Sequence, residues 1–285
     1  MTGPGGDRQQ PGEPEGYART PVAPGEAVLD LRAGEARVVV RPEHGGRLGS
    51  VAIGGREVLV TGDPLGPVLW GAYPMAPWAG RIRHGRFAFA GKTRQLPLAA
   101  PPHALHGVVL DRPWRVDAPD AISVDLDRRW PFRGRVAQRF AVREDGLDVT
   151  MTLEADEPQP AVIGWHPWFR RALEPGGGPV SLRLDAAEML VRDAEGIPTG
   201  ERTPPSDGPW DDCFTGLRAD PVLEWPGLRL TLSSSCAWWV VYTRPAHAVC
   251  VEPQSGPPDA ANLCPEVVTP GTPLTHTMRW RWERT

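Results

Sequence analysis

Positive charge in this 285-residue sequence is almost all arginine, with Lys92 the single lysine, and acidic residues outnumber bases to leave a formal net charge of −4. Binding to a phosphate backbone or an anionic membrane needs concentrated cationic charge, so no nucleic acid and no membrane is expected as a partner. Cysteine is scarce too. Cys213, Cys236, Cys250 and Cys264 form no CxxC pair and have no histidine at zinc-finger spacing, which leaves free thiols in a reducing compartment as the expectation. No apolar run approaches the ~18 residues of a membrane-spanning helix, and residues 1 to 26 hold Gly, Pro and charge where a secretory signal would hold an apolar core. A cytoplasmic protein is expected on that ground. A glycine-rich nucleotide loop is also missing, so chemistry dependent on a nucleotide cofactor is not expected.

Proline and glycine are abundant, at 34 and 32 residues, and the prolines recur often enough to forbid long helices. Residues 1–25 combine Pro-Gly pairs with polar residues and read as a disordered tail. From residue 26 to 285 the pattern has period two, with no composition break and no repeat, so a single domain is expected. Phe87 and Phe89 alternate ahead of a turn at Gly91-Lys92. The stretch 136–142, a turn at Glu144-Asp145-Gly146, and then Leu147, Val149, Met151 and Leu153 read as a hairpin. Leu182 and Leu184, Leu228 to Leu232, and Met278 to Trp282 repeat the theme. Many short strands joined by Gly/Pro turns predict an all-β fold, a large antiparallel sandwich or barrel with few short helices.

Polar groups interrupt this pattern in three places, each costly to bury without a use. Arg81, Arg83, His84 and Arg86 crowd one short stretch, read either as a solvated strand edge or as a cationic site. His103 and His106 follow Pro101-Pro102, a pair that forbids a regular helix through the segment. The HxxH spacing invites a metal, yet no further ligand cluster lies nearby. A hydrogen-bonding role for His103 and a ligand-facing role for His106 stand beside that reading. The third place joins two distant pieces. His166 sits in Gly164-Trp165-His166-Pro167-Trp168-Phe169, and Glu252 ends the apolar run Ala248-Val-Cys-Val251 before Pro253-Gln254-Ser255-Gly256. Such a carboxylate is either capped by a cation or poised as an acid or base. Asp211 and Asp212 lie between these pieces and read as two adjacent carboxylates in a loop.

Taken in order, Gly80-Arg81-Ile82, Gly85-Arg86-Phe87, Leu96-Pro97-Leu98, His103-Ala-Leu-His106-Gly107, His166-Pro167-Trp168-Phe169, Asp211-Asp212-Cys213-Phe214 and Glu252-Pro253-Gln254-Ser255-Gly256-Pro257-Pro258-Asp259-Ala260 with Asn262 resemble the aldose 1-epimerase (galactose mutarotase) family. The resemblance runs from about residue 36 to the end. It implies a galactose mutarotase-like supersandwich with a sugar cleft across one sheet, and a cofactor-free, metal-free isomerase acting on a monosaccharide as a monomer or homodimer. It gives Glu252 the place of the general base and His166 that of the general acid. Arg81 and His106 match residues that hold the ring oxygen and neighbouring hydroxyls, and Asp211 matches a carboxylate that grips sugar hydroxyls. Gly80 stands where the family often has Asn, Trp168 where Tyr is common, and Asp212 where His is frequent, which leaves open whether Asp211 or Asp212 faces the sugar.

Mutarotation removes the proton of the anomeric hydroxyl while protonating the ring oxygen, so that the C1–O5 bond opens. A carboxylate with a raised pKa suits the first task and an imidazole, with its reference pKa of about 6.5, suits the second. Two positioned proton transfers at roughly 10²–10⁴-fold each suffice for a reaction that is only moderately slow unaided. Trp165 and Trp168 are the first tryptophans expected to stack on a sugar ring. Three rivals remain at this point. A hexose-6-phosphate 1-epimerase would recruit arginines from residues 81–86 and 170–171. A glycosidase would need a second carboxylate. A non-catalytic carbohydrate-binding sandwich would have no use for both Glu252 and His166.

Overall fold

The computed structural model describes residues 28–62 and 66–285. The expected disordered tail, residues 1–25, lies outside them. Strands dominate, as the alternating pattern requires, and every strand-to-strand pairing among the described residues is antiparallel. Among the described residues helix is limited to one turn at Ala260–Leu263 and short 3₁₀ turns such as Pro42–His44. None of these is long and apolar enough to cross a membrane. All four cysteines are free thiols.

The pairings run through one large, curled sheet. In its first half Leu29–Ala33, Ala36–Arg41, Arg47–Ile53, Ala72–Met75, Gly164–Arg170, Ala248–Gln254 and Trp238–Tyr242 lie side by side. The long strand Asp211–Trp225 then hands the sheet over. Its first residues pair with Trp238–Tyr242 and its last with Leu228–Ser234. From there the second half continues through Leu274–Glu283, Gly146–Ala155, Gly134–Arg143 and Ala121–Asp125.

The two halves face each other across one apolar core. Trp165 and Phe169 point into it from the first half, Met151 and Trp280 from the second. The Phe169 and Trp280 rings lie 5.0 Å apart, and Trp165 Nε1 donates to Gln138 Oε1 at 3.0 Å across the gap. Burying a side chain such as Phe169 contributes roughly 1.5–3 kcal/mol. Arg47, which opens the strand Arg47–Ile53, is 1% exposed and donates to three carbonyls, of His44 at 2.6 Å and of Trp70 and Leu110 at 3.1 Å each.

Three local expectations change. The turn after Phe89 is Ala90-Gly91, both at positive φ (49° and 73°), rather than Gly91-Lys92. Glu252 does not end its strand, which continues through Pro253 to Gln254. Asp211 and Asp212 open a strand instead of occupying a loop. In both strands the ladder to the neighbour continues past the polar residues.

Candidate active site

Strand register decides which polar residues meet. Gly164 stands opposite Gln254 and Trp168 opposite Cys250, which sets His166 across from Glu252. On its other side His166 pairs with Tyr73, while Glu252 pairs with Val240 and Val240 with Cys213. One rank across the sheet therefore reads Tyr73, His166, Glu252, Val240, Cys213. The adjoining rank reads Trp168, Cys250, Tyr242, Asp211. Side chains alternate faces along a strand, so both ranks look away from the core that takes Trp165, Phe169, Val249 and Val251. Together they floor a cavity of about 770 Å³ that Arg81, His106, His166, Trp168, Asp211 and Glu252 all border. That volume falls within the usual range for a small-molecule site.

The roof comes from the ribbon pairing Arg81–Ile82 with Ala104–Leu105. Gly80, just before it, has φ of 66°, and a Cβ there would lie 2.6 Å from Pro258. Left-handed backbone suits glycine, and with Pro258 this close a side chain here would force a shift. Asp259 anchors the ribbon, since its N–H donates to Arg81 O at 2.7 Å and its Oδ1 accepts from the Arg83 N–H at 3.0 Å. Asn262 Nδ2 donates to the same Oδ1 at 2.7 Å. These residues of the last motif thus hold the roof.

Electrostatics follow from burial. His166 Nε2 and Glu252 Oε1 lie 3.2 Å apart, with the side chains only 7% and 2% exposed. Desolvation lowers the imidazole to about 3 and raises the carboxyl well above its ordinary value, the nearby Asp211 charge adding to the latter. The pair as it stands favours a carboxylic acid beside a neutral imidazole. One proton lies between two atoms within hydrogen-bond reach. His106 Nδ1 accepts the Gly80 N–H at 3.3 Å, so its Nε2 carries the proton and is a donor. Burial first, then His166 and Arg81, keep His106 well below the usual imidazole range and hence neutral.

Asp211 shares the face of Glu252 by register, Asp212 stands opposite Val241, and both carboxylates border the cavity. Asp212 Oδ1 lies 2.8 Å from Arg192 Nε, and its Oδ2 accepts the Asp211 N–H at 3.0 Å. Burial raises the Asp211 pKa, with Arg81, Arg192 and Arg244 acting against that rise.

The tryptophan expectation changes. Trp165 is fully buried in the core. Trp168 borders the cavity, but its ring stacks with His166 at 5.3 Å and with His247 at 5.9 Å, so protein rings occupy the indole faces. Tyr73 continues the row, 4.8 Å from His166. His103 borders the cavity as well, and its Nδ1 accepts the His84 N–H at 3.1 Å.

Most of the arginines considered for phosphate are engaged elsewhere. Arg83 pairs with Asp193 and Glu195. Arg170 donates to Leu59 O at 2.7 Å, and Arg171 donates to the carbonyls of Thr243 and Pro245. A metal would find donor atoms of His166, Cys250 and Glu252 within 4.8 Å of one another. The set fits a metal poorly, because burial pushes both the Cys250 thiol and the Glu252 carboxyl up and ligation needs them ionised. His166 Nδ1 also lacks the orienting partner that metal-bound imidazoles have.

Tyr73, Arg192, Tyr242 and Gln254 border the cavity without having been singled out in the sequence. Gln254 carried a signal, its i, i+2 spacing from Glu252 in one strand. The others became visible only through pairings between distant strands.

A family model described as aldose 1-epimerase matches residues 27–281. Over 104 residues the chain is 30% identical to the uncharacterised Escherichia coli protein YphB, a stretch that spans 34% of this chain and 36% of that relative. A galactose mutarotase-like protein from Clostridium acetobutylicum superposes with a TM-score of 0.80 at 16% identity, covering 90% of this chain and 95% of its own. A galactose 1-epimerase from Lactobacillus acidophilus gives 0.75 at 15% identity, covering 94% and 98%. At such identities the likeness is one of fold.

Proposed function

The chain belongs to the aldose 1-epimerase family, and on that footing we propose that it interconverts the α and β anomers of an unphosphorylated aldose by opening and reclosing the ring. The observation that carries this reading is the buried His166–Glu252 pair, 3.2 Å apart and facing a sugar-sized cavity. In the forward step the Glu252 carboxylate takes the proton of the C1 hydroxyl. The His166 imidazolium gives its proton to O5, and the C1–O5 bond breaks to an aldehyde. Rotation about C1–C2 presents the other carbonyl face, and the two transfers then run in reverse. No electron or group leaves the sugar.

This cycle starts from ionised Glu252 and protonated His166, reached by moving the pair's single proton across their short separation. Arg81, whose charge acts against the rise of the Glu252 pKa, favours that ionised form. His106 is the neutral donor for a sugar oxygen, Asp211 accepts sugar hydroxyls, and Trp168 borders the ring with its edge. The ties of Arg83, Arg170 and Arg171 favour a free sugar over a phosphorylated one.

Polarimetry of freshly dissolved α-glucose and α-galactose tests the reading directly. Enzyme should speed the optical change well above the spontaneous rate, and failure to do so for any common aldose would sink it.

A further inference from the structure

We infer that Gln254 works from both ends of its amide, the nitrogen fixing the Glu252 carboxylate and the oxygen receiving the C2 hydroxyl of the sugar. The inference rests on the ring-opening reading above. Gln254 is fully buried yet borders the cavity, two residues along the strand from Glu252 and on the same face. Its Nε2 donates to Glu252 Oε2 at 3.3 Å, while its Oε1 is buried without a partner. A buried acceptor left unpaired is costly, so such an atom beside a ligand cavity calls for a donor from the ligand. The opposite amide orientation would turn two acceptors toward each other, so the carboxylate itself selects this one.

Gly164 makes room for the arrangement. A Cβ at Gly164 would lie 2.7 Å from Pro253 O and 3.0 Å from Gln254 Cγ. The choice of hydroxyl follows from the two carboxylate oxygens. Oε1 faces His166, the group assigned to O5, and Oε2 faces Gln254. With C1–O1 at the carboxylate, O5 and C2 leave C1 in different directions, and the side away from His166 belongs to C2.

The other charged or titratable groups around Glu252 are His166, Asp211, Arg81, Cys213 and Cys250. Gln254 is the group hydrogen-bonded to Oε2, and its N–H favours the ionised carboxylate that the reaction uses.

Polarimetric kcat/KM for glucose and 2-deoxyglucose, measured across pH with wild type, Q254M and Q254E, tests this. Wild type should favour glucose by at least about tenfold, the loss expected when a buried acceptor goes unpaired. Q254M should erase the preference and move the alkaline limb, where the pair loses its proton, to higher pH. Q254E keeps the shape and an acceptor, so it should keep part of the preference while moving the limb further, because two carboxyl groups then adjoin. If Q254M does not fold, Q254E decides by its limb. An active wild type that treats the two sugars alike overturns the inference and leaves ring opening standing. So does a folded Q254M with the wild-type preference and limb. A wild type inactive on every aldose overturns both.

Discussion

Replacing Glu252 by glutamine keeps the side chain's shape and removes its charge, so activity and stability should move in opposite directions. The carboxyl is buried, and desolvation holds its folded-state pKa well above the ordinary 4.5. Below that pH the group is protonated in both the folded and the unfolded chain, and its neutral form is fully accommodated. Above it the unfolded chain releases the proton first. Stability then falls by about 1.4 kcal/mol per pH unit until the folded pKa is reached. Glutamine has no such dependence and keeps an acceptor for the Gln254 amide. Two pH units above the ordinary value, the variant should exceed wild type by up to about 3 kcal/mol. For a chain of this size that is about 6 °C in Tm. Losing the proton acceptor should lower kcat by roughly 10²–10⁴-fold. Thermal melts of both proteins at several pH values, with polarimetry on the same samples, read both effects. A Tm difference that stays flat with pH, or a less stable variant near neutrality, would refute a desolvated carboxyl at this position.

Because the His166–Glu252 pair must keep its one proton to act, kcat/KM should fall toward alkali as the raised Glu252 pKa is passed, with a midpoint well above 4.5, which a pH–rate profile measures directly. Asp211→Asn should raise KM about tenfold in a steady-state titration, whereas Asp212→Asn, whose carboxylate is held 2.8 Å from Arg192 Nε, should alter it much less. Arg47→Met would strip donors from three buried carbonyls of separate segments. It should lower stability by at least about 3 kcal/mol in urea unfolding while the protein can still be prepared folded.

The strands were largely legible, because period two is a local signal. The hairpin around Glu144 and Asp145 follows from the alternation of Leu147, Val149, Met151 and Leu153, and the structure pairs Gly134–Arg143 with Gly146–Ala155. The six residues named for the site all border one cavity. What spacing could not supply is register between strands far apart in sequence. Nothing local in the His166 segment says that it lies across from Glu252 on one side and from Tyr73 on the other. The strand end misassigned at Glu252 has a related origin. Pro253 reads as a terminator, yet this strand keeps its pairing with Trp238–Tyr242 through that residue, with Trp239 opposite it. Trp168 was expected to stack on the apolar face of a sugar ring. Its indole instead stacks with two protein rings, His166 and His247.

The alternation in Ala248–Gln254 makes this strand a partition with a reading frame. Val249 and Val251 are read by the core, Glu252 and Gln254 by the cavity, and Cys250, on the cavity's side, packs beneath its rim with Trp168. Inserting or deleting one residue upstream within the strand would exchange the two readings, driving the carboxyl into the apolar core and valine methyls into the site. Two such changes, in phase, would restore the frame. Length variation in this protein is therefore expected to enter through its turns, such as Gly176 and Gly177, where the chain can lengthen without shifting what either face reads.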